Sequence, residues 1–442
     1  MKTWMTLVFM LLCMNVAAFG AVQNVELAAR TFVLFLHQEE FNKAVELFDA
    51  TARKAVTPDK LRALWNGQQQ AVGVFQDICR TRTEDLGAYR AVFVTCRFEK
   101  KQIDVKVIYD KAVNIAGFFF APTRRAEYQV PEYVDEKAFN EAEVQVGTGE
   151  WALPGTLTIP ANKGPFPAVI LVHGSGAQDR DETIGPNKPF RDLAWGLASK
   201  GIAVLRYEKR TRHYATKFSN TSDNLTVQEE TMTDAMEAVS LLKRNKVVKA
   251  DCIFMLGHSL GGMLIPRIGK NNESSIAGFV IMAGNTRPLE DLILEQTLYQ
   301  ASLTTALTPE AEHHIEEVKH QVAAIKGFSN TDLSRVRILG APPSYWLDLK
   351  GYRPTEAAKA VQRPMLILQG EKDCQVSSEK DFKEWHHALL DRKNVQFELY
   401  PTLNHLFMEA DAKSTGAEYQ QPGNVAAIVV RDIADWIMKH EN

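Results

Sequence analysis

The stretch IFMLGHSLGG, residues 253–262, decides the fold of this chain. Its four leading apolar residues predict a buried strand, and the Gly-x-Ser-x-Gly pattern that follows predicts a sharp turn into a helix. Glycines at 257 and 261 suit such a turn because its strained backbone leaves no room for larger side chains. The turn lifts the serine hydroxyl clear of the sheet, so Ser259 is predicted to be a nucleophile.

Strand-like and helix-like segments alternate on both sides of this turn, from about residue 141 to the end. This alternation predicts an α/β fold, a mostly parallel sheet with helices on both faces. The predicted helices are 188–200, 226–245, 260–270, 378–390 and 424–440. The predicted strands are 144–146 and 157–160 as an opening hairpin, then 168–172, 202–206, 252–256, 279–282, 365–369 and 395–400.

A long, mainly helical insertion between Asn285 and Arg363 interrupts the alternation. An insertion after a late strand of such a sheet lies over its carboxyl end, where ligands bind. The segment of about 286–360 is therefore predicted to be a helical cap over the active site.

The chain before residue 125 has a different pattern. Helical spacing over 24–50 predicts two short helices, and Thr57-Pro58 predicts the start of a third. Period-two segments at 74–83, 89–98, 103–109 and 113–120 then predict an antiparallel meander. These features predict a small α+β domain over 22–125, a linker over 122–136, and a catalytic domain over 137–442.

The first residues are typical of an export signal. Lys2 precedes an apolar stretch from Met5 to Met14, which is too short to span a membrane, and small residues follow. A signal peptide over 1–20, cut after Ala18 or Gly20, predicts a periplasmic or extracellular protein without stable membrane insertion. Lipid attachment at Cys13 is an alternative, although the preceding Leu12 is large for such a site.

Export permits disulfides, and Cys79 and Cys96 are the candidate pair. Pairing Leu86 with Tyr89 across a turn at Gly87-Ala88 and counting outward places the two cysteines opposite each other. Cys252 and Cys374 are expected to remain separate thiols.

Two later segments supply the groups that a serine nucleophile needs. Asp373 follows the strand 365–369, and His405 follows the strand 395–400, so the chain order is serine, acid, histidine. This order is typical of the hydrolase architecture with a serine on a strand-to-helix turn. His405 is predicted to be the base and Asp373 its orienting acid, with Glu371 as the second choice.

An oxyanion in this reaction needs backbone donors already in place. One is predicted to be the amide of Leu260, and a second comes from the loop His173-Gly174-Ser175-Gly176, with Ser175 preferred over Gly176. Asp179, Arg180 and Asp181 with Arg206, Glu208 and Lys209 are expected to form ion pairs that hold this loop. The side chain of His258 is expected to point away from the nucleophile, and Tyr345 and Trp346 are candidates for either the acyl pocket or the cap core.

Charge excludes other classes of function. The net charge is −3 and Lys and Arg are dispersed, so no nucleic-acid site is predicted, and the cluster Lys209–Arg212 is expected to be a solvated loop. The histidines of helical segments lack matching carboxylates or cysteines, so neither a metal nor another cofactor is expected. These histidines are His313, His314, His320, His386 and His387.

With these residues, the segment from about 141 to 442 resembles the α/β-hydrolase superfamily and, more narrowly, exported bacterial esterases of the EstD-like type. That resemblance implies a serine esterase acting on small, short-chain acyl esters, with an α+β accessory domain of uncharacterised function in front. Glu208 and Thr211 depart from the aspartate and glycine common in the family, which affects a loop near the substrate but not the triad. The narrower resemblance rests on 173–176 with 179–181, on 206–210 and on 284–288.

Two other functions remain open from the sequence. A serine peptidase of the same fold would use the same three residues but expel an amine. A non-catalytic binding protein would have no need of an intact Ser259, Asp373 and His405.

Overall fold

The computed structural model describes residues 25–123, 127–221, 225–303, 307–329 and 337–441. They form two compact units, divided between residues 126 and 127. The predicted signal peptide over 1–20 and the alternative lipid site at Cys13 lie outside the described residues. Within these ranges, the helices are all too short or too polar to cross a membrane.

The first unit packs helices on one face of an antiparallel sheet, as the change from helical to period-two spacing predicts. Phe32, Phe48 and Trp65 from the helical part fill the core against Phe98 and Val105 of the sheet. The helices are α1 (25–37), α2 (Phe41–Glu46), α3 (Ala52–Ala55) and α4 (Pro58–Val72). The strands, paired in chain order, are β1 (Phe75–Leu86), β2 (Tyr89–Phe98), β3 (Gln102–Tyr109) and β4 (Ile115–Pro122).

The predicted Cys79–Cys96 bridge is not present, and the predicted register is wrong at this point. Leu86 pairs with Tyr89 as expected, but a bulge at Cys79 makes Ile78 the partner of Cys96. An extra residue in one strand shifts every later pair, and the spacing of residues alone does not reveal it. Cys79, Cys96, Cys252 and Cys374 are free thiols.

The second unit contains a mostly parallel sheet, which confirms the predicted fold class. Its strands within the described residues are β5 (Phe139–Val146), β6 (Leu153–Pro160), β7 (Phe166–Val172), β8 (Ala203–Tyr207), β9 (Val248–His258), β10 (Gly278–Met282), β11 (Met365–Gly370) and β12 (Val395–Tyr400). These eight strands lie in the order β12-β11-β10-β9-β7-β8-β6-β5. β5 and β6 form the antiparallel opening hairpin, and β6 also runs antiparallel to β8.

Helices cover both faces of this sheet, and the insertion between β10 and β11 is helical as predicted. Two of the predicted helices, 226–245 and 378–390, begin with π-helical turns, Gln228–Met232 and Ser378–Phe382. The helices are α5 (Pro189–Ala198), α6 (Arg210–His213), α7 (Ala215–Thr221), α8 (Thr233–Arg244), α9 (Leu260–Asn272), α10 (Leu289–Ser302), α11 (Pro309–Gly327), α12 (Pro343–Leu349), α13 (Pro354–Ala360), α14 (Lys383–Leu389) and α15 (Ala427–Lys439).

The central strand β7 shows why the sheet is buried on both faces. All seven of its residues are buried, and successive side chains enter opposite cores, as the period of a strand requires. Ile170 packs in the core that contains α8 and α9 residues, whereas Leu171 packs in the core that contains α5 and α15 residues. The sheet is thereby held rigidly beneath the loops at its carboxyl end.

The cluster Lys209–Arg212 is not a solvated loop, so that expectation was wrong for its first two residues. Lys209 and Arg210 are buried and form ion pairs with Glu230 and Asp234. A run of like charges normally lies in solvent, but here two buried carboxylates compensate it, Glu230 in the turn before α8 and Asp234 in α8.

The turn after β9 depends on glycine at 261. A Cβ atom there would overlap the backbone oxygens of Val172 and His173. We expect Gly261→Ala to destabilise the unit by about 3 kcal/mol or more, because backbone atoms must move apart. Thermal unfolding followed by circular dichroism will show a Tm lower by about 5 °C or more. Gly327→Ala, where a Cβ meets open space, is the matched control and leaves Tm within about 1 °C; equal effects of the two substitutions would contradict the steric argument.

Candidate active site

Ser259 lies at the junction of β9 and α9 in a conformation that residues other than glycine rarely adopt. Its φ is 54° and its ψ is −117°, and its N–H donates to Met282 O at 2.9 Å. Such strain persists only where the surrounding structure fixes it, and it is frequent at active sites. The side chain is partly exposed and lines the cavity described below.

The predicted acid and base form a buried pair. His405 Nδ1 donates to Asp373 Oδ2 at 2.7 Å, and these residues are 3% and 2% exposed. Asp373 Oδ1 accepts from the amides of Gln375 at 2.7 Å and Val376 at 2.9 Å, which fixes the carboxylate. With Nδ1 bound to the acid, Nε2 is the ring nitrogen of His405 that can serve as a base.

The alternative acid, Glu371, does not join this group. Its side chain is exposed, while Asp373 two residues later is buried against His405. The choice of Asp373 made from the sequence therefore agrees with the geometry.

The loop after β7 is anchored by buried charged side chains. Glu182 Oε1 accepts from Gly174 N–H at 2.7 Å, and Lys209 Nζ donates to Gly174 O at 2.6 Å. A Cβ on Gly174 would lie 3.2 Å from the Ser259 Cβ, so the loop passes beside the nucleophile. Its next residues, Ser175 and Gly176, line the same cavity as Ser259 and Leu260, and Leu260 begins α9, where the first amides lack partners within the helix.

His173 supports this loop as a neutral ring. Burial lowers its pKa to about 4, so it carries no charge near neutral pH. Its Nε2 donates to Asp179 O at 3.0 Å, since a carbonyl oxygen can only accept.

Two of the predicted ion pairs beside the loop are present, Arg180–Glu208 and Arg206–Asp181, whereas Lys209 pairs with Glu230. Arg180 contacts Glu143 at 2.8 Å and Glu208 at 3.0 Å, and the buried Arg206 contacts Asp181 and Glu141. These contacts join the hairpin, β8 and the loop, and they act structurally.

Sequence reasoning missed Glu182 altogether, and it missed the role of His258. The side chain of His258 forms two hydrogen bonds. Its Nδ1 bonds Glu182 Oε2 at 2.9 Å, and its Nε2 bonds His405 O at 2.9 Å. Its ring centroid is 4.7 Å from that of His405, which brings the base loop against the residue preceding Ser259. No motif spacing signals this pairing, because Glu182 belongs to a loop of irregular structure.

A cavity of about 640 Å³ extends from Ser259 into the cap. Tyr345 and Trp346, for which the sequence left two roles open, are buried and also line the cavity. Glu230 is the one carboxylate among its described lining residues, and it already binds Lys209 at 3.0 Å and the Tyr345 hydroxyl at 2.8 Å. The other cap residues on its wall include Leu289, Leu292, Ile293, Leu339 and Ala341.

The residues that the structure describes contain no cluster of three or more His, Cys, Asp or Glu side chains suited to a metal ion.

Comparisons with known proteins agree with this architecture. Residues 165–411 match the family described as "Serine aminopeptidase, S33", and residues 29–118 match a family described as a protein of unknown function, DUF3887. Esterase EstD of Thermotoga maritima is 38% identical over 433 residues, which are 98% of this chain and 99% of the relative.

Solved structures to which the chain is similar include two esterases. Est1E from Butyrivibrio proteoclasticus is 14% identical and has a TM-score of 0.43, with 67% of this chain and 98% of that chain covered. An esterase of Pyrococcus furiosus is 15% identical with a TM-score of 0.43, and the match covers 72% of this chain and all of the other. On the strength of the family match and the full-length relative, the chain belongs to the S33 hydrolase family of the α/β-hydrolase superfamily and is a homologue of esterase EstD.

Proposed function

We propose that this protein is a serine hydrolase that cleaves carboxylic esters through an acyl-enzyme on Ser259. The observation that carries the proposal is the buried Asp373–His405 pair, whose loop contacts the residue before the strained Ser259, together with the cap cavity that Ser259 lines. The full-length relation to a protein named as an esterase supports the same conclusion.

The reaction follows from the positions of these groups. His405 Nε2 takes the proton of the Ser259 hydroxyl as the oxygen attacks the ester carbonyl, and Asp373 stabilises the imidazolium that forms. The amides of Leu260 and of Ser175 or Gly176 hold the oxyanion. The alcohol leaves with the proton from His405, and water then attacks the acyl-enzyme by the same route, so the reaction needs no cofactor.

One feature of the cavity favours esters over peptides with a free amino terminus. An aminopeptidase needs a carboxylate to hold the substrate ammonium group. Glu230 is the carboxylate in position to do so, but Lys209 already neutralises it and Tyr345 occupies its second oxygen. The cavity therefore offers an uncharged ester a better fit than an ammonium group.

Paired substrates test this assignment. We expect wild-type protein to hydrolyse p-nitrophenyl acetate and butyrate, to react covalently with a fluorophosphonate at Ser259, and to leave alanine p-nitroanilide intact. Turnover of the anilide without turnover of the esters would favour the peptidase. Absence of labelling would favour the non-catalytic alternative.

The cap is proposed to limit the acyl group. Ile293 lies on α10 in the cavity wall, so Ile293→Trp fills space that a longer acyl chain would use. We expect the ratio of kcat/KM for p-nitrophenyl hexanoate to that for acetate to fall by about 10-fold or more. Leu298→Trp, at an exposed position of the same helix, is the matched control and leaves the ratio unchanged. A tryptophan at 293 that spares hexanoate would show that the chain lies elsewhere.

We also propose that the protein is exported, on the basis of Lys2, the short apolar stretch and the small residues after it. Amino-terminal sequencing of the mature protein tests this. A new terminus after Ala18 or Gly20 supports signal cleavage, a lipid-modified cysteine at position 13 supports the alternative, and an intact Met1 contradicts both.

A further inference from the structure

A second chain of buried hydrogen bonds runs beside the groups used in the mechanism above. Glu182 accepts from Gly174 N–H with Oε1 at 2.7 Å and bonds His258 Nδ1 with Oε2 at 2.9 Å. His258 Nε2 donates to the backbone oxygen of His405 at 2.9 Å. Two side chains thus connect the loop that supplies oxyanion donors with the loop that carries the base.

The chemistry of the partners fixes the protons along this chain. A carbonyl oxygen and an ionised carboxylate can only accept, so His258 donates from both ring nitrogens and carries a positive charge. Burial opposes that charge, but the charge and hydrogen bond of Glu182 outweigh it and raise the pKa of His258 above its ordinary value. Burial likewise opposes ionisation of Glu182, yet His258 holds the pKa of that carboxyl below its ordinary value.

Burial makes the hydrogen-bonded pair of Glu182 and His258 rigid. Glu182 is 1% exposed and His258 is 5% exposed, so water competes little for these bonds, and they are stronger than equivalent bonds at the surface. Glu182 bonds Gly174, which passes beside Ser259. His258 bonds the backbone of His405, the residue whose imidazole is the base.

We propose that Glu182 and His258 are positioning residues that set the geometry between the oxyanion amides and His405. The inference rests on the proposed reaction at Ser259, but it concerns a separate set of atoms. Displacing reacting groups by about 1 Å can cost about 100-fold in rate. Loss of this connection is therefore expected to lower kcat much more than it changes KM.

Two substitutions of Glu182 distinguish the effect of its side-chain length from the effect of its charge. Glu182→Asp keeps the charge but is one methylene too short to hold both Gly174 and His258. Glu182→Gln keeps the length: its oxygen still accepts from Gly174, and its amide can donate to a neutral His258 that still donates to His405. We expect the aspartate variant to lose about 30-fold to 100-fold in kcat for p-nitrophenyl butyrate, and the glutamine variant to stay within about fivefold of wild type, each with KM changed less than about threefold.

Asp192→Ala is the matched control for loss of a buried carboxylate. Asp192 is 1% exposed and accepts from Val425 N–H at 2.9 Å and from the Tyr128 hydroxyl at 2.7 Å, but it lies outside the site. We expect it to lower Tm while kcat at 25 °C stays within about twofold. A kcat loss in Glu182→Asp no greater than in this control, or equal losses in the aspartate and glutamine variants, would overturn the proposal.

The rate of fluorophosphonate labelling at Ser259 is the second readout and should fall in the same order. The same measurement distinguishes failure of the proposed function from failure of the positioning role. Wild type that is not labelled contradicts the proposed function, whereas labelled wild type with an equally fast Glu182→Asp variant contradicts only the positioning role. If the aspartate variant does not fold, His258→Gln replaces it, because one amide nitrogen cannot reach both Glu182 and His405 O; wild-type kcat in that variant overturns the proposal, and a loss of about 30-fold or more at unchanged KM supports it.

Discussion

Replacement of Ser259 by alanine will lower kcat for p-nitrophenyl butyrate by about 10,000-fold or more and abolish labelling by a fluorophosphonate. The substitution removes the oxygen that forms the acyl bond, so no acyl-enzyme can form. The oxyanion amides and the cavity remain, so a small residual rate above the uncatalysed reaction is expected. Initial rates and mass spectrometry of the peptide that contains position 259 measure the two effects.

A serine elsewhere in the same unit provides the control for this experiment. Ser240 lies in α8, where its hydroxyl donates to Met236 O at 3.1 Å in ordinary helical geometry. The Ser240→Ala variant should hydrolyse p-nitrophenyl butyrate, and be labelled by the fluorophosphonate, at the wild-type rates. Full labelling of Ser259→Ala would identify another nucleophile and remove the basis of the assignment.

Asp373→Asn will lower kcat by about 10,000-fold. The expected cause is a change in the tautomer of His405 and not loss of the fold. The asparagine oxygen can still accept from the amides of Gln375 and Val376, so its NH₂ group replaces the oxygen that faces His405 Nδ1. An NH₂ group donates, and the imidazole must then accept with Nδ1 and keep its proton on Nε2. A ring in that tautomer cannot take the proton of Ser259.

Glu371→Gln is the control, because it makes the same chemical change two residues away at an exposed position. It should leave kcat within about twofold, whereas Asp373→Asn loses activity with a similar far-ultraviolet circular dichroism spectrum. The opposite ranking of the two variants would assign the acid to Glu371.

Much of the second unit could be predicted because strong local signals agree with the global fold. The apolar run of β7, the Gly257 and Gly261 pair and the position of Asp373 and His405 after successive strands each follow from periodicity or turn chemistry. The carboxyl ends of parallel strands meet at one edge, so residues distant in the chain are placed together without knowledge of their contacts.

The remaining features depend on contacts that no spacing encodes. The bulge at Cys79 adds a residue to one strand, and only the paired structure shows where the register changes. Lys209 and Glu182 are long, charged residues of types that usually lie at the surface. Each is buried here and pairs with a residue from another part of the chain. Predicting such partners requires the packed structure, since their stability depends on the full set of hydrogen bonds.

The insertion of the cap between two adjacent strands has a consequence for how such enzymes diversify. Segments exchanged between the end of β10 and the start of β11 alter the cavity wall while Ser259 and the strands below it stay in place. Contacts between the cap and the residues below it limit this freedom. Gln296 of α10 donates to Gln375 O at 3.0 Å, and the Gln375 amide in turn holds Asp373; Tyr345 of α12 donates to Glu230 at 2.8 Å. Exchange of this segment among relatives should therefore change ester preference without moving the bond-breaking residues, provided that these contacts are kept.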